Sequence, residues 1–221
     1  MSKVHVVTEI APFALGAAIS PLVLMLATLA LASPPRALSK GWSAVAGNAV
    51  MLAGYTGLLL GLGIKLPKHH GPSALDAAIY LGFAGALLLL ALRQLAKRGS
   101  ANGGSGLLAK LGGAKPRAFA SAGVVIMATN FSSLALYVPG LHMVQRSHAS
   151  TPDQIAAAVL LFSCTLAPAL VPVLAATLLG RRAQPPLAAI NRIVTAHATE
   201  ISIGIELLFV VLLAWKGFSA I

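Results

Sequence analysis

The chain has 221 residues, 57% of them hydrophobic and only 10% charged, a balance that a water-soluble domain of this length does not keep in solution. Its formal charge of +11 would suit nucleic acid in a soluble protein, but sixteen Lys and Arg spread over short inter-helix loops fit the positive-inside pattern of membrane proteins, which excludes nucleic acid as the partner. Cys164 is the sole cysteine and lies in an apolar run, so there is no disulfide framework or paired-thiol chemistry, and it is read as a packing residue.

A bilayer core of about 30 Å needs roughly 20 apolar residues per helix. Six stretches meet that length, at about 10–32, 41–64, 74–92, 118–143, 154–180 and 193–215, predicting an all-α polytopic membrane protein with six transmembrane helices. The first could pass for a secretory signal, with Lys3 ahead of it and Leu31-Ala32-Ser33 as a cleavage-like end. It is longer than the usual apolar region of about 7 to 15 residues and has Glu9 at its start, so it is read as a retained span with Glu9 at the interface. Midway along it, the ring of Pro21 displaces the hydrogen bond to the carbonyl of Ala17 and bends or breaks the helix, with the Ser20 hydroxyl beside the same place. A tolerated kink and a functional break are both consistent with that.

Ser33-Pro34-Pro35 ends the first span. Gly57 and Gly61 form a GxxxG in the second, a signal for close helix packing. His69-His70 in the following loop has no neighbouring acid or cysteine and is read as solvated, so no metal site is expected. Ser73 with Asp76 resembles a capping box opening the third span. Residues 94–117 then combine a Gly/Ser-rich run with five basic residues, and they read as a flexible cytoplasmic linker carrying a short surface-lying piece at Leu107 to Leu111. In the fourth span, a primary amide at Asn130 must face the bundle interior, either cross-linking helices or touching substrate. Thr151-Pro152-Asp153 supplies an N-cap, a first-turn proline and a first-turn acid for the fifth span. Pro168 and Pro172 should bend or locally unwind that helix by freeing the carbonyls of Cys164 and Pro168.

Glu206 in the sixth span is the sharpest single signal. It lies about nine residues, or roughly 14 Å, inside the end marked by Trp215 and Lys216. Carboxyls at such depth are rare and usually functional. With no Lys or Arg in the membrane core to pair with, it is cheapest to bury protonated, which makes it a proton-coupling candidate as well as a structural hydrogen-bonding group. Glu200, six residues earlier, is off the same face, so the two are not a dyad.

Counting basic residues on alternate sides gives eleven against five, which places the linker and its neighbours in the cytoplasm. Both termini then face outward, together with His5, His69, His70, His142 and His148. A shift of 110 lays Ser20-Pro21 over Asn130-Phe131, and each half holds an odd number of spans. The organisation predicted is therefore two inverted three-helix repeats, residues 1–93 and 118–221, joined by the linker at 94–117.

The chain resembles the lysine-exporter (LysE) superfamily, and within it the glycolipid-addressing family that includes the sulfolipid-addressing proteins. The residues carrying the resemblance are Ile19-Ser20-Pro21, Thr129-Asn130-Phe131-Ser132-Ser133-Leu134 with Tyr137-Val138-Pro139, and the basic linker. The family pattern has a proline in each motif; Phe131 replaces the second, which argues against a symmetric pair of breaks. The resemblance implies export across the inner membrane, with glycolipids or lipid-linked precursors as substrate.

The leading expectation is an inner-membrane exporter or flippase for a lipid-like substrate, bound by Ser20, Pro21, Asn130, Ser132, Ser133 and Glu206. Its alternatives are a proton-coupled exporter of a small solute such as an amino acid or cation, and a non-transporting scaffold for the cell envelope. An enzyme is not expected, because no Ser/His or paired-acid arrangement stands at mid-depth. No cofactor is expected. The expected partners are membrane lipids, the substrate and, as an option, a second copy of the chain in a homodimer.

Overall fold

The computed structural model describes residues 3–61, 74–96, 111, 113–147 and 149–219. The readings made for His69, His70, Ser73, His148 and most of the linker fall outside those residues, as do the side chains of His5, Glu9 and Asp76. The described chain is helical throughout, with no strand among the described residues. Its helices are α1 (Lys3–Ala17), α2 (Pro21–Ala32), α3 (Ala37–Gly61), α4 (Ala74–Ala96), α5 (Pro116–Thr129), α6 (Phe131–Arg146), α7 (Thr151–Leu179) and α8 (Gln184–Phe218), with a 3₁₀ turn at Gly180–Ala183 before α8. Four of them start with proline in the first two positions, where the missing N–H has no intrahelical partner to lose and the ring's fixed φ favours the helix.

α7, α4 from Ala77 to Ala96 and α8 from Ala196 to Phe218 are each long and apolar enough to cross a bilayer. The pairs α1/α2 and α5/α6 meet that test only jointly, bent by 44° and 67° at their breaks. Counting each pair as one span gives up to five candidate spans among the described residues, where six were expected. α3, which covers the second of the expected stretches, is not among those candidates. The molecule is a multi-pass membrane protein.

Within a bilayer, apolar side chains gain little from leaving lipid, so helices associate through close van der Waals packing and buried polar contacts. The α3–α5 crossing shows how close. A Cβ on Gly47 would run into the backbone carbonyl of Ala120, and one on Gly123 would sit 2.6 Å from the carbonyl of Ala44. The two larger buried clusters each draw on several helices. One gathers Phe13, Tyr137, Leu161 and Leu213; the other gathers Leu26, Ala44, Phe119 and Val173. α4 packs along α8, α2 also touches α8, and α6 touches α4. Cys164 is a free, half-buried thiol packed against the first cluster.

Two local expectations are corrected. α7 runs unbroken through Pro168 and Pro172, both buried among Leu166, Ala169 and Val173, so packing carries the missing bonds without unwinding. The cap of α7 is Ser150, one residue earlier than Thr151, and its hydroxyl donates to Asp153 at 2.6 Å. His142, expected on the outer side, is buried in α6 and edge-on to Tyr80. α8 has non-helical backbone at His197, where the surface-exposed first part of the helix turns into the spanning part.

Candidate substrate site at two helix breaks

α1 ends at Ala17 and α2 begins at Pro21, with Ser20 extended between them at φ −121° and ψ 99°. Ser20 is the N-cap of α2, yet its side chain makes no capping bond to that helix. α5 ends and α6 begins at a single residue, Asn130. Its Oδ1 accepts from the Ser133 backbone N–H at 3.5 Å, and its Nδ2 donates at 2.8 Å to both Ser133 Oγ and Ser20 Oγ. Two caps 110 residues apart therefore touch through a buried side-chain bond.

The second break forms without a proline, contrary to what Phe131 suggested. Asparagine achieves it because its short side chain offers the backbone an alternative partner to the helix, as N-caps do. The break frees the carbonyl of Ala128, which an unbroken helix would bond to the Ser132 N–H. The Tyr55 hydroxyl of α3 donates to that carbonyl at 3.4 Å, and the Thr129 hydroxyl folds back on the carbonyl of Val125 at 2.8 Å.

Glu206 is 1% exposed. Its Oε1 accepts from Ser132 Oγ at 2.6 Å, Gln94 Nε2 at 2.7 Å and Ser202 Oγ at 3.2 Å, tying α8 to both α6 and α4. Oε2 has no partner among the described residues. Glu200 is exposed and pairs with His197 at 3.0 Å, apart from this cluster, in keeping with the six-residue spacing.

A cavity of about 460 Å³ lies between the breaks, α4 and α8. Ser20, Pro21, Asn130, Ser132 and Ser133 all line it, so five of the six residues singled out in the sequence meet there. Glu206 stands behind the wall, reached through Ser132, Gln94 and Ser202, which do line it. Exposed Ile19 and Phe131, at 52% and 61%, form part of its apolar rim. Three residues were missed by the sequence reading. Gln94 was assigned to the linker, but α4 extends to Ala96. Ser202 was signalled only by standing one turn before Glu206. Arg93 lines the cavity although it was counted as a loop charge.

A family model described as Sap, sulfolipid-1-addressing protein, matches residues 10–219. The chain belongs to the sulfolipid-1-addressing protein family. The match to that family runs through both breaks, α4 and α8, so the whole cavity lies inside it. No curated protein and no solved structure gives a significant match.

Proposed function

We propose that this member of the sulfolipid-1-addressing family is an inner-membrane exporter or flippase that carries a lipid-like substrate, holding the substrate's polar end in the cavity between the two breaks. The observation that carries the reading is the contact of two interrupted helices, through Asn130 and Ser20, at a cavity whose rim is apolar and exposed. Interrupted backbone inside a membrane is tolerated where protein or a wet cavity receives it, and transporters use such breaks for substrate. An apolar rim at the depth of the breaks suits a ligand arriving from the bilayer with its chains still in lipid. The family's name points to the same substrate class.

The reading includes six spans in two inverted halves, with both termini outside and the linker at 94–117 cytoplasmic. Its support is the equivalent placing of the breaks 110 residues apart and the matched contacts of α2 with α8 and α6 with α4. Glu206 is the proton-coupling group, because one carboxyl oxygen holds three donors on two neighbouring helices and its own, while the other has no partner among the described residues. Reconstitution into vesicles with a fluorescent lipid tests the proposal: transport should fall sharply in Asn130→Ala and lose its dependence on a proton gradient in Glu206→Gln. Transport unchanged in both variants would sink the assigned site.

A further inference from the structure

We propose that the junction of α2 and α6 is an oxyanion subsite that takes a phosphate- or sulfate-type group borne on a lipid headgroup, an inference that rests on the transport reading for the cavity's purpose but on separate observations for its chemistry.

Two helix N-termini converge on one wall of the cavity, and each carries N–H groups without intrahelical acceptors and the positive end of a helix dipole. At α2 the free groups are those of Leu22 and Val23, since Pro21 has no N–H and Ser20 gives the helix no side-chain cap. At α6 the Asn130 side chain takes only the Ser133 N–H, leaving that of Phe131 free of it.

The independent observation is the state of two buried hydroxyls. Ser20 and Ser133 are 6% and 3% exposed, both line the cavity, and both accept a hydrogen bond from the Asn130 amide. Neither hydroxyl hydrogen has an acceptor among the described residues. Each oxygen already accepts from Asn130 and both residues line the cavity, so an acceptor placed there can serve both hydrogens. A buried donor left without an acceptor costs about 1 to 3 kcal/mol, so the wall is built to receive an acceptor.

Charge agrees. Among the described residues, Arg93 is the only charged side chain lining the cavity and no carboxylate lines it, since Glu206 is screened by Gln94, Ser132 and Ser202. A cation would meet a guanidinium and two positive helix ends. A neutral sugar presents donors as well as acceptors, whereas this wall offers donors. An oxyanion presents acceptors alone and matches it. The remaining volume and the apolar rim at Ile19 and Phe131 fit what a lipid attaches to such a group.

Calorimetry on the purified full-length protein in a neutral detergent, with dioctanoyl phosphatidic acid, dioctanoyl glycerol and inorganic phosphate as probes, tests this directly. Phosphatidic acid should bind at least about tenfold more tightly than the diacylglycerol, as charge-assisted hydrogen bonds require. Ser20→Ala combined with Ser133→Ala should remove about tenfold of that affinity, and so should Arg93→Gln, with diacylglycerol binding unchanged. Arg93→Gln touches neither break, so its effect is independent of any loss of folding in the serine variant. Equal affinity for the two lipids, or a preference that survives both variants, overturns the subsite. Inorganic phosphate binding as tightly as phosphatidic acid keeps the oxyanion chemistry and overturns the lipid as its source. Lipid flipping without anion preference would discard the subsite and spare the transport reading, whereas anion binding without flipping would do the reverse.

Discussion

At the first break the chain carries a proline, and at the second an asparagine, yet the second bend is the sharper, 67° against 44°. Proline acts by subtraction, deleting a donor and crowding the preceding turn, and it leaves the new helix end without a side-chain cap. Asparagine acts by offering a replacement, since its carbonyl caps the new helix while its amide holds the other break in place. The second break also reaches α8 through Ser132 and Glu206, whereas Ser20 makes no bond to that carboxyl. A helix inside a membrane can therefore be interrupted by taking a bond away or by supplying a better one, and in this molecule the supplied bond organises both sites.

The contrast can be broken most severely at Glu206. Glu206→Ala leaves the hydrogens of Gln94, Ser132 and Ser202 without their shared acceptor and should cost about 3 kcal/mol or more of stability, read as a lowered melting temperature in detergent. Glu206→Gln retains an oxygen at the same place and should stay within about 1 kcal/mol of the parent; an equal loss in both variants would show that bulk, not acceptance, is what matters there. Next in size, Asn130→Ala removes a cap and two buried bonds and should cost about 2 kcal/mol, with the second break losing its definition. Pro21→Ala should be the mildest, about 0.5 to 1 kcal/mol, because the Asn130 bond to Ser20 still holds the first break open. Should Pro21→Ala prove costlier than Asn130→Ala in the same melts, the ranking of the two breaks is reversed.

Much of the site was legible from spacing and depth. Ser20 and Asn130 are polar residues at matched positions in spans that lipid would otherwise punish, and that alone brought them together before any coordinates. Glu206 was visible for the same reason. What escaped depended on where helices stop, which neighbours decide. Gln94 belongs to α4, which packs along α8, and nothing in the local composition sets it apart from Arg93 as a helix residue. Phe131 misled because proline is the familiar mark of a break, whereas Asn130 reads in the sequence as a cross-link or a substrate contact and not as a cap. The unbroken course of α7 past Pro168 and Pro172 is the converse: two strong local breakers overruled by tight packing on both sides.

The bond from Asn130 to Ser20 also has a history within each synthesised chain. Ser20 is made 110 residues ahead of its partner, an interval of roughly 5 to 20 s at ordinary rates of translation. Throughout it, the first interrupted helix stands in the bilayer without the amide that will later hold it, so the early half is a waiting template whose polar notch is sealed only by the arrival of the late half.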